Sequence, residues 1–215
     1  GATNGTPAFS LVLHTWTQDL QRHIHVHAVM ACGVLAQDGD RGAQWHTPTR
    51  KPDFLFPVHA LSKVFRGKFV AALARAHHQG DIERDPQGDE KAWCARQRQL
   101  YQHEWVVYAK TPLGGPAQVL EYLSRYTHRT AISNERIRAM TQQDVVFSVR
   151  ANDQGGKRLQ RLSGTEFIRR FLLHVLPTGA KRIRHYGVLA PCCKAQKLGA
   201  ARLALQMPAS NPQAM

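Results

Sequence analysis

Residues 22–28 run Arg-His-Ile-His-Val-His-Ala, an imidazole at every second position. Successive side chains of a strand point to opposite faces, so His23, His25 and His27 share one face, Ile24 and Val26 the other. Imidazole is the commonest metal-binding side chain. Neighbours in such a row stand roughly 7 Å apart at Cα, close enough to converge on one ion, whereas three in a row span about 13 Å. One pair is therefore the expected ligand set, completed by groups from elsewhere. The bland reading is a strand with incidental surface histidines.

A second constellation lies in Glu121-Tyr122-Leu123-Ser124-Arg125-Tyr126-Thr127-His128-Arg129. Tyr122 and Tyr126 are four apart, so on a helix they lie on one face, a turn apart. A bare pair at this spacing is most often core packing. Here Arg125, His128 and Arg129 crowd the same turns, and such groups hold a phosphate and favour the phenolate form of a tyrosine. A phenol with a pKa near 10 is a weak nucleophile until activated. A metal that polarises a phosphodiester supplies that activation, as does a neighbouring cation.

The elements that must position these groups are readable from hydropathy periods. Phe9–Trp16 and His25–Leu35 read as strands, separated by the polar stretch Thr17–Arg22. Gln37–Lys51 reads as loop. Leu61, Val64, Phe65, Phe69, Ala72 and Leu73 form a helical stripe over Val58–His78, which Gly80–Asp89 breaks. Lys91–Gln102 reads as helix and Trp105–Ala109 as strand. Thr111–Pro116 is a turn whose Pro116 suits a first helical turn, and Gln118–His128 follows as helix. Strands are expected around Ile132–Met140, Val145–Arg150, Leu159–Leu162 and Arg182–Leu189. Thr165–Leu176 reads as a helix with Ser163 as N-cap. The mixture predicts an α+β domain with a mainly antiparallel β-sheet flanked by helices. Residues 1–8 read as a disordered end, 9–190 as the catalytic domain and 191–215 as a flexible tail.

Composition narrows the partners. Among 215 residues, 29 Lys+Arg stand against 15 Asp+Glu, a net charge of +14. That draws the chain to polyanions, nucleic acid first. No apolar run is long enough to span a bilayer, and Gly1–Pro7 lacks the regions of a signal peptide. The four cysteines, Cys32, Cys94, Cys192 and Cys193, show no CxxC spacing. A disulfide framework is not expected, and a reducing cytoplasm fits.

With the two constellations side by side, the chain resembles the two-tyrosine HUH transposases of the insertion sequence 91 family. The histidine–hydrophobic–histidine strand corresponds to His25-Val26-His27 within HIHVHAVM, and the paired nucleophiles to Tyr122 and Tyr126 within VLEYLSRYTHRTAISNERI. Similar stretches are LVLHTWTQDL, PDFLFPVHALSKVFRGKFVAAL, WVVYAKTPLGGPAQVL and EFIRRFLLHVLPTGAKRIRHYGVLA, so the likeness runs in order over residues 9–190.

The resemblance implies an HUH nuclease-type domain with a divalent ion, magnesium or manganese. One tyrosine attacks single-stranded DNA at transposon ends and forms a 5′-phosphotyrosine link, leaving a 3′-hydroxyl that primes rolling-circle replication. The second tyrosine serves a further cleavage or transfer. HUH sites often draw a third ligand from a polar residue on an adjoining element. Gln18 and Asp19 are the candidates, Gln18 ahead, with His23 outside the ligand set. Family members usually carry an N-terminal cysteine-rich zinc-binding domain that these residues do not include, and Pro191-Cys192-Cys193 departs from the usual basic continuation. A truncated copy is therefore expected.

Arg125, His128, Arg129, Arg169 and Arg170 are the expected DNA contacts, within a cationic second half that includes Arg136, Arg138, Lys181, Arg182 and Arg184. Such groups position a single strand without reading its sequence. Two other function classes compete. One is a truncated, inactive remnant that only binds DNA. The other is a zinc hydrolase, which lacks an HExxH helix or a paired catalytic carboxylate.

Overall fold

The computed structural model of the chain describes residues 4–37, 39–47, 56–82, 90–127, 131–152 and 155–207. The chain packs as two compact units, Gly1–Thr47 with Leu113–Met215, and Pro48–Pro112.

In the first unit, strands β1 (Thr6–Trp16), β2 (Arg22–Gln37), β3 (Ala43–His46) and β7 (Ile183–Gly187) form a sheet in the order β3-β2-β1-β7. A second sheet is the meander β4 (Ile137–Met140), β5 (Asp144–Asn152) and β6 (Gly155–Ser163). Every pairing is antiparallel. Helices α3 (Pro116–Thr127), α4 (Gly164–Leu172) and α5 (Lys194–Ala204) complete the unit. The protein is thus mixed α/β with antiparallel sheets and helices. The second unit contains helices α1 (Val58–Gln79) and α2 (Glu90–Gln102). Gly80, at φ 76°, ends α1 in the left-handed conformation that glycine adopts without steric cost. No helix among the described residues is long and apolar enough to cross a membrane.

Two clusters form the core of the first unit. One joins Trp16 and Leu20 to Ala131, Ile132, Val145, Phe147, Val149 and Leu162, with Phe167 and Phe171 of α4 packed against them. The other joins Ala8, Leu35 and Val188 to Ala201 of α5. Ser163 caps α4, its hydroxyl accepting from the Glu166 amide at 3.3 Å. β1 and β7 approach so closely that a Cβ on Gly187, at φ 65°, would lie 1.7 Å from the Pro7 carbonyl oxygen.

Three segments depart from the sequence expectation. The stretch Gln37–Lys51 contains β3, which pairs with the end of β2 from Val34↔His46 to Gln37↔Ala43. Trp105–Ala109 is not a strand: Val106 and Tyr108 are 94% and 80% exposed, while Trp105 turns onto Phe65 and Phe69 and donates to the Leu100 carbonyl at 2.9 Å. β-prone residues without a neighbouring strand have nothing to pair with. The stretch after Ala190, read as loose tail, contains α5, whose small residues fit it against β3 and bury Ala201.

Candidate active site

The site begins with a turn. β1 and β2 are joined through Thr17–Gln21, closed by Thr17 N–H to the Gln21 carbonyl at 3.0 Å and Leu20 N–H to the Thr17 carbonyl at 3.1 Å. The Thr17 hydroxyl also accepts from the Gln21 amide at 3.0 Å. Leu20 adopts φ 62°, a left-handed conformation costing a non-glycine residue about 1–3 kcal/mol. Its side chain is fully buried, and burial of a leucine contributes about 1.5–3 kcal/mol in return.

Three consecutive carbonyls of this turn are held from outside the hairpin. Arg136 donates to the Gln18 carbonyl, Arg170 to that of Asp19 at 3.1 Å, and His174 Nε2 to that of Leu20 at 3.1 Å. The clamped turn sets the register His14↔His25 and Val12↔His27 across β1 and β2.

That register brings a third imidazole to the pair expected from the sequence. One nitrogen each from His14, His25 and His27 lies within 4.8 Å of the others. Nitrogens about 2.1 Å from one tetrahedral ion stand about 3.4 Å apart, so closure takes about an ångström of side-chain movement. His25 Nδ1 faces the His23 carbonyl at 3.1 Å, which only accepts, so Nδ1 carries the proton. The lone pair is then on Nε2, which faces His14 Nδ1 at 3.3 Å. His27 Nε2 is buried without a hydrogen-bond partner, while its Nδ1 is engaged elsewhere. An orphaned buried lone-pair nitrogen, directed lone pairs and an all-imidazole set fit a divalent metal ion.

His14 stands with His25 and His27 in a group able to hold an ion, a place for which sequence reasoning put forward Gln18. The Gln18 amide oxygen instead accepts from the Arg150 backbone N–H at 2.7 Å, and Asp19 accepts from the Thr17 hydroxyl at 2.5 Å. His23 contributes its carbonyl, and its ring lies 4.8 Å from that of His25 outside the cluster.

Helix α3 presents both tyrosines to this cluster. The Tyr122 hydroxyl lies 3.1 Å from His27 Nδ1. The Tyr126 ring stacks on the His27 imidazole at 3.5 Å between centroids and 22° between planes. Tyr126 also meets His14 edge-on at 5.7 Å, and the two phenol rings are 5.0 Å apart.

Charge does not follow the expected pattern. Burial, and then Tyr126 beside it, raises the Tyr122 phenol above its ordinary value. Arg125 pairs with Glu121 in solvent. His128 and Arg129 lie outside the described residues. Arg169 and Arg170, expected on DNA, both pair with Glu166, whose carboxyl these bonds hold down at about 2. Arg170 is also bound to the Asp19 carbonyl, which makes it part of the clamp on the turn.

Burial and mutual repulsion lower two of the histidines. His14 falls to about 4, chiefly through burial and then through His25, His27, Arg182 and His23; His27 falls to about 4 through burial and then His25. Both are neutral at pH 7, the form in which an imidazole can bind a metal ion. Their folded values lie below the unfolded value of about 6.5, so the unfolded chain binds more protons between these limits. The stability they contribute is present above pH 6.5 and lost as pH falls toward 4. The urea midpoint of metal-free protein should therefore fall steadily from pH 6.5 to 4.5. The His14→Asn/His27→Asn double variant should show a flatter profile. Equal slopes for both proteins would contradict the assignment.

Antiparallel sheets, three imidazoles able to hold an ion and two phenols against one of them define a mixed α/β protein with a candidate metal centre beside a tyrosine pair. Residues 8–197 match the family described as "Putative transposase". The chain is 41% identical over 209 residues to "Putative transposase y4qJ" of Sinorhizobium fredii (strain NBRC 101917 / NGR234), covering 95% of this chain and 51% of that protein. It therefore spans about half the length of the curated relative it matches. No solved structure matches it. The chain belongs to this transposase family.

Proposed function

We propose that this chain is the catalytic core of a two-tyrosine HUH transposase of the insertion sequence 91 type. It nicks and transfers single-stranded DNA at transposon ends through a 5′-phosphotyrosine intermediate, beginning rolling-circle transposition. Residues 9–190 make up its HUH nuclease domain, and it works on DNA in a prokaryotic cytoplasm. The observation that carries this reading is the Tyr122 hydroxyl 3.1 Å from His27, 95 residues away in sequence, with Tyr126 stacked on the same ring.

His14, His25 and His27 would hold magnesium or manganese, which supplies Lewis-acid polarisation of a phosphate oxygen when bound. With its Nε2 committed as a ligand, His27 keeps its proton on Nδ1 and donates to the Tyr122 oxygen. A hydrogen bond donated to that oxygen favours its ionised form and opposes the effect of burial. The phenol proton leaves to water. The Tyr122 oxygen then forms a bond to phosphorus as the bond to the 3′-oxygen breaks; that oxygen departs with the electron pair and takes a proton from water to become a 3′-hydroxyl. Tyr126, on the same helix face, attacks a second phosphodiester in the same way.

Incubating the protein with 5′- or 3′-labelled single-stranded oligonucleotides and manganese tests this. The expected product is a covalent adduct that survives denaturing electrophoresis, carries the DNA through its 5′ end and disappears in chelator. Adduct formation undiminished by chelator would refute the metal role. No adduct from any oligonucleotide, with binding retained, would favour a remnant that grips DNA without cutting it.

A further inference from the structure

We propose that the groove along the meander β4-β5-β6, beside the Thr17–Gln21 turn, binds the sugar-phosphate backbone of the strand being cut. The proposal rests on the reading of the chain as a strand transferase and names a surface that reading does not assign. The groove encloses about 490 Å³, with Arg136, Arg138, Arg150 and Lys157 facing one carboxylate, Glu135.

The arrangement of these cations is unusual for this protein. Arg150 and Lys157 are directly opposite each other across β5 and β6, a like-charge placement that destabilises a sheet. The ion pairs recorded among the described residues are Arg125–Glu121, Arg161–Asp144, and Arg169 and Arg170 with Glu166; none includes Arg138, Arg150 or Lys157. All three side chains are exposed. A polyanion would relieve this repulsion, which no ion pair among the described residues relieves.

The lining also says which part of a nucleic acid fits. It offers guanidinium, ammonium and backbone groups and no aromatic ring, so it suits phosphates and not stacked bases. Its volume is that of a small-ligand cleft.

Position links the groove to the chemistry. Gln18 lines it, accepts from the Arg150 amide at 2.7 Å and is held through its carbonyl by Arg136. Gln18 is four residues from His14 along the chain, so their backbones are no more than about 14 Å apart. The edge of the groove at Gln18 therefore lies within about 14 Å of the backbone of one imidazole of the cluster.

The test uses a fluorescent single-stranded oligonucleotide and anisotropy at salt concentrations between about 50 and 200 mM. The triple variant Arg138→Gln/Arg150→Gln/Lys157→Gln is compared with Lys194→Gln/Lys197→Gln/Arg202→Gln, which removes equal charge from α5. Thermal melts confirm that both are folded. The groove variant should bind about 10–100-fold more weakly at the lower salt, and its log–log salt slope should shrink by about 2, as three lost phosphate contacts require. The control should change by less than a third of that. Equal losses in the two variants, or a groove variant with wild-type slope, overturn the proposal. If wild type forms no adduct while the groove variant alone loses binding, the transferase reading fails and the groove stands. If adduct forms and the groove variant binds like wild type, the groove alone fails.

Discussion

Replacing Tyr122 and Tyr126 together with phenylalanine is expected to eliminate the covalent protein–DNA adduct. Both phenols face one imidazole, so each is placed to attack a phosphate held at the cluster. Deleting one hydroxyl leaves the other on the same helix face. The single variants should therefore each lose joined products, while only the double variant is blank. Tyr122→Phe should have the larger effect on the first adduct, by a factor of about a hundred, because it also removes the contact to His27. A general acid–base or positioning interaction of this kind is worth about 10²–10⁴ in rate. Phenylalanine keeps the ring that packs against His27, so an emptied core cannot account for the loss. Adduct at wild-type level in the double variant would move the nucleophile to another residue.

His27→Ala should have an effect nearly as large, by a different route. His27 contributes the buried, unpartnered Nε2 to the cluster, hydrogen-bonds Tyr122 and stacks on Tyr126. Losing it removes a ligand and both phenol contacts together. Lewis-acid stabilisation of a phosphoryl transition state amounts to several kcal/mol, so cleavage should drop by about a thousandfold or more. Binding of single-stranded DNA should stay within a fewfold of wild type, since phosphate contacts by Lys and Arg carry most of it. His14→Ala should match His27→Ala in manganese titration calorimetry, whereas Gln18→Ala should still bind the ion. Manganese binding lost in Gln18→Ala but kept in His14→Ala would restore Gln18 as the third ligand.

The three histidines illustrate how much a strand pattern carries. Alternation alone places His25 and His27 on one face, and the polar interval after Trp16 marks where the hairpin turns. Folding about the middle of Thr17–Gln21 pairs Trp16 with Arg22 and would set position 14 opposite 24; an irregularity between His14 and Trp16 moves the pairing to His14↔His25. One residue of register would have turned it to the other face. Local sequence leaves that choice open, because the turn is set by Leu20 in a left-handed conformation and by three donors, Arg136, Arg170 and His174, from far along the chain.

The arginines show the opposite limit. A count of cations marks the chain as a partner for polyanions, yet it cannot say which are committed within the fold. Arg125, Arg169 and Arg170 carry the same charge as Arg138 and Arg150. A carboxylate one helical turn away engages the first three, whereas no ion pair among the described residues includes the other two.

What the sequence determined by itself was periodic or compositional: the alternating histidines, the tyrosines one turn apart, the main strands and helices, and the excess of positive charge. These follow from neighbours within a few residues, where backbone geometry alone dictates which side chains share a face. What the tertiary structure decided was non-local: His14 as third imidazole, Gln18 and Arg170 as parts of the turn, and helix α3 laid against the histidine strand. Those outcomes depend on burial and on hydrogen-bond partners up to 154 residues distant, which no local pattern encodes.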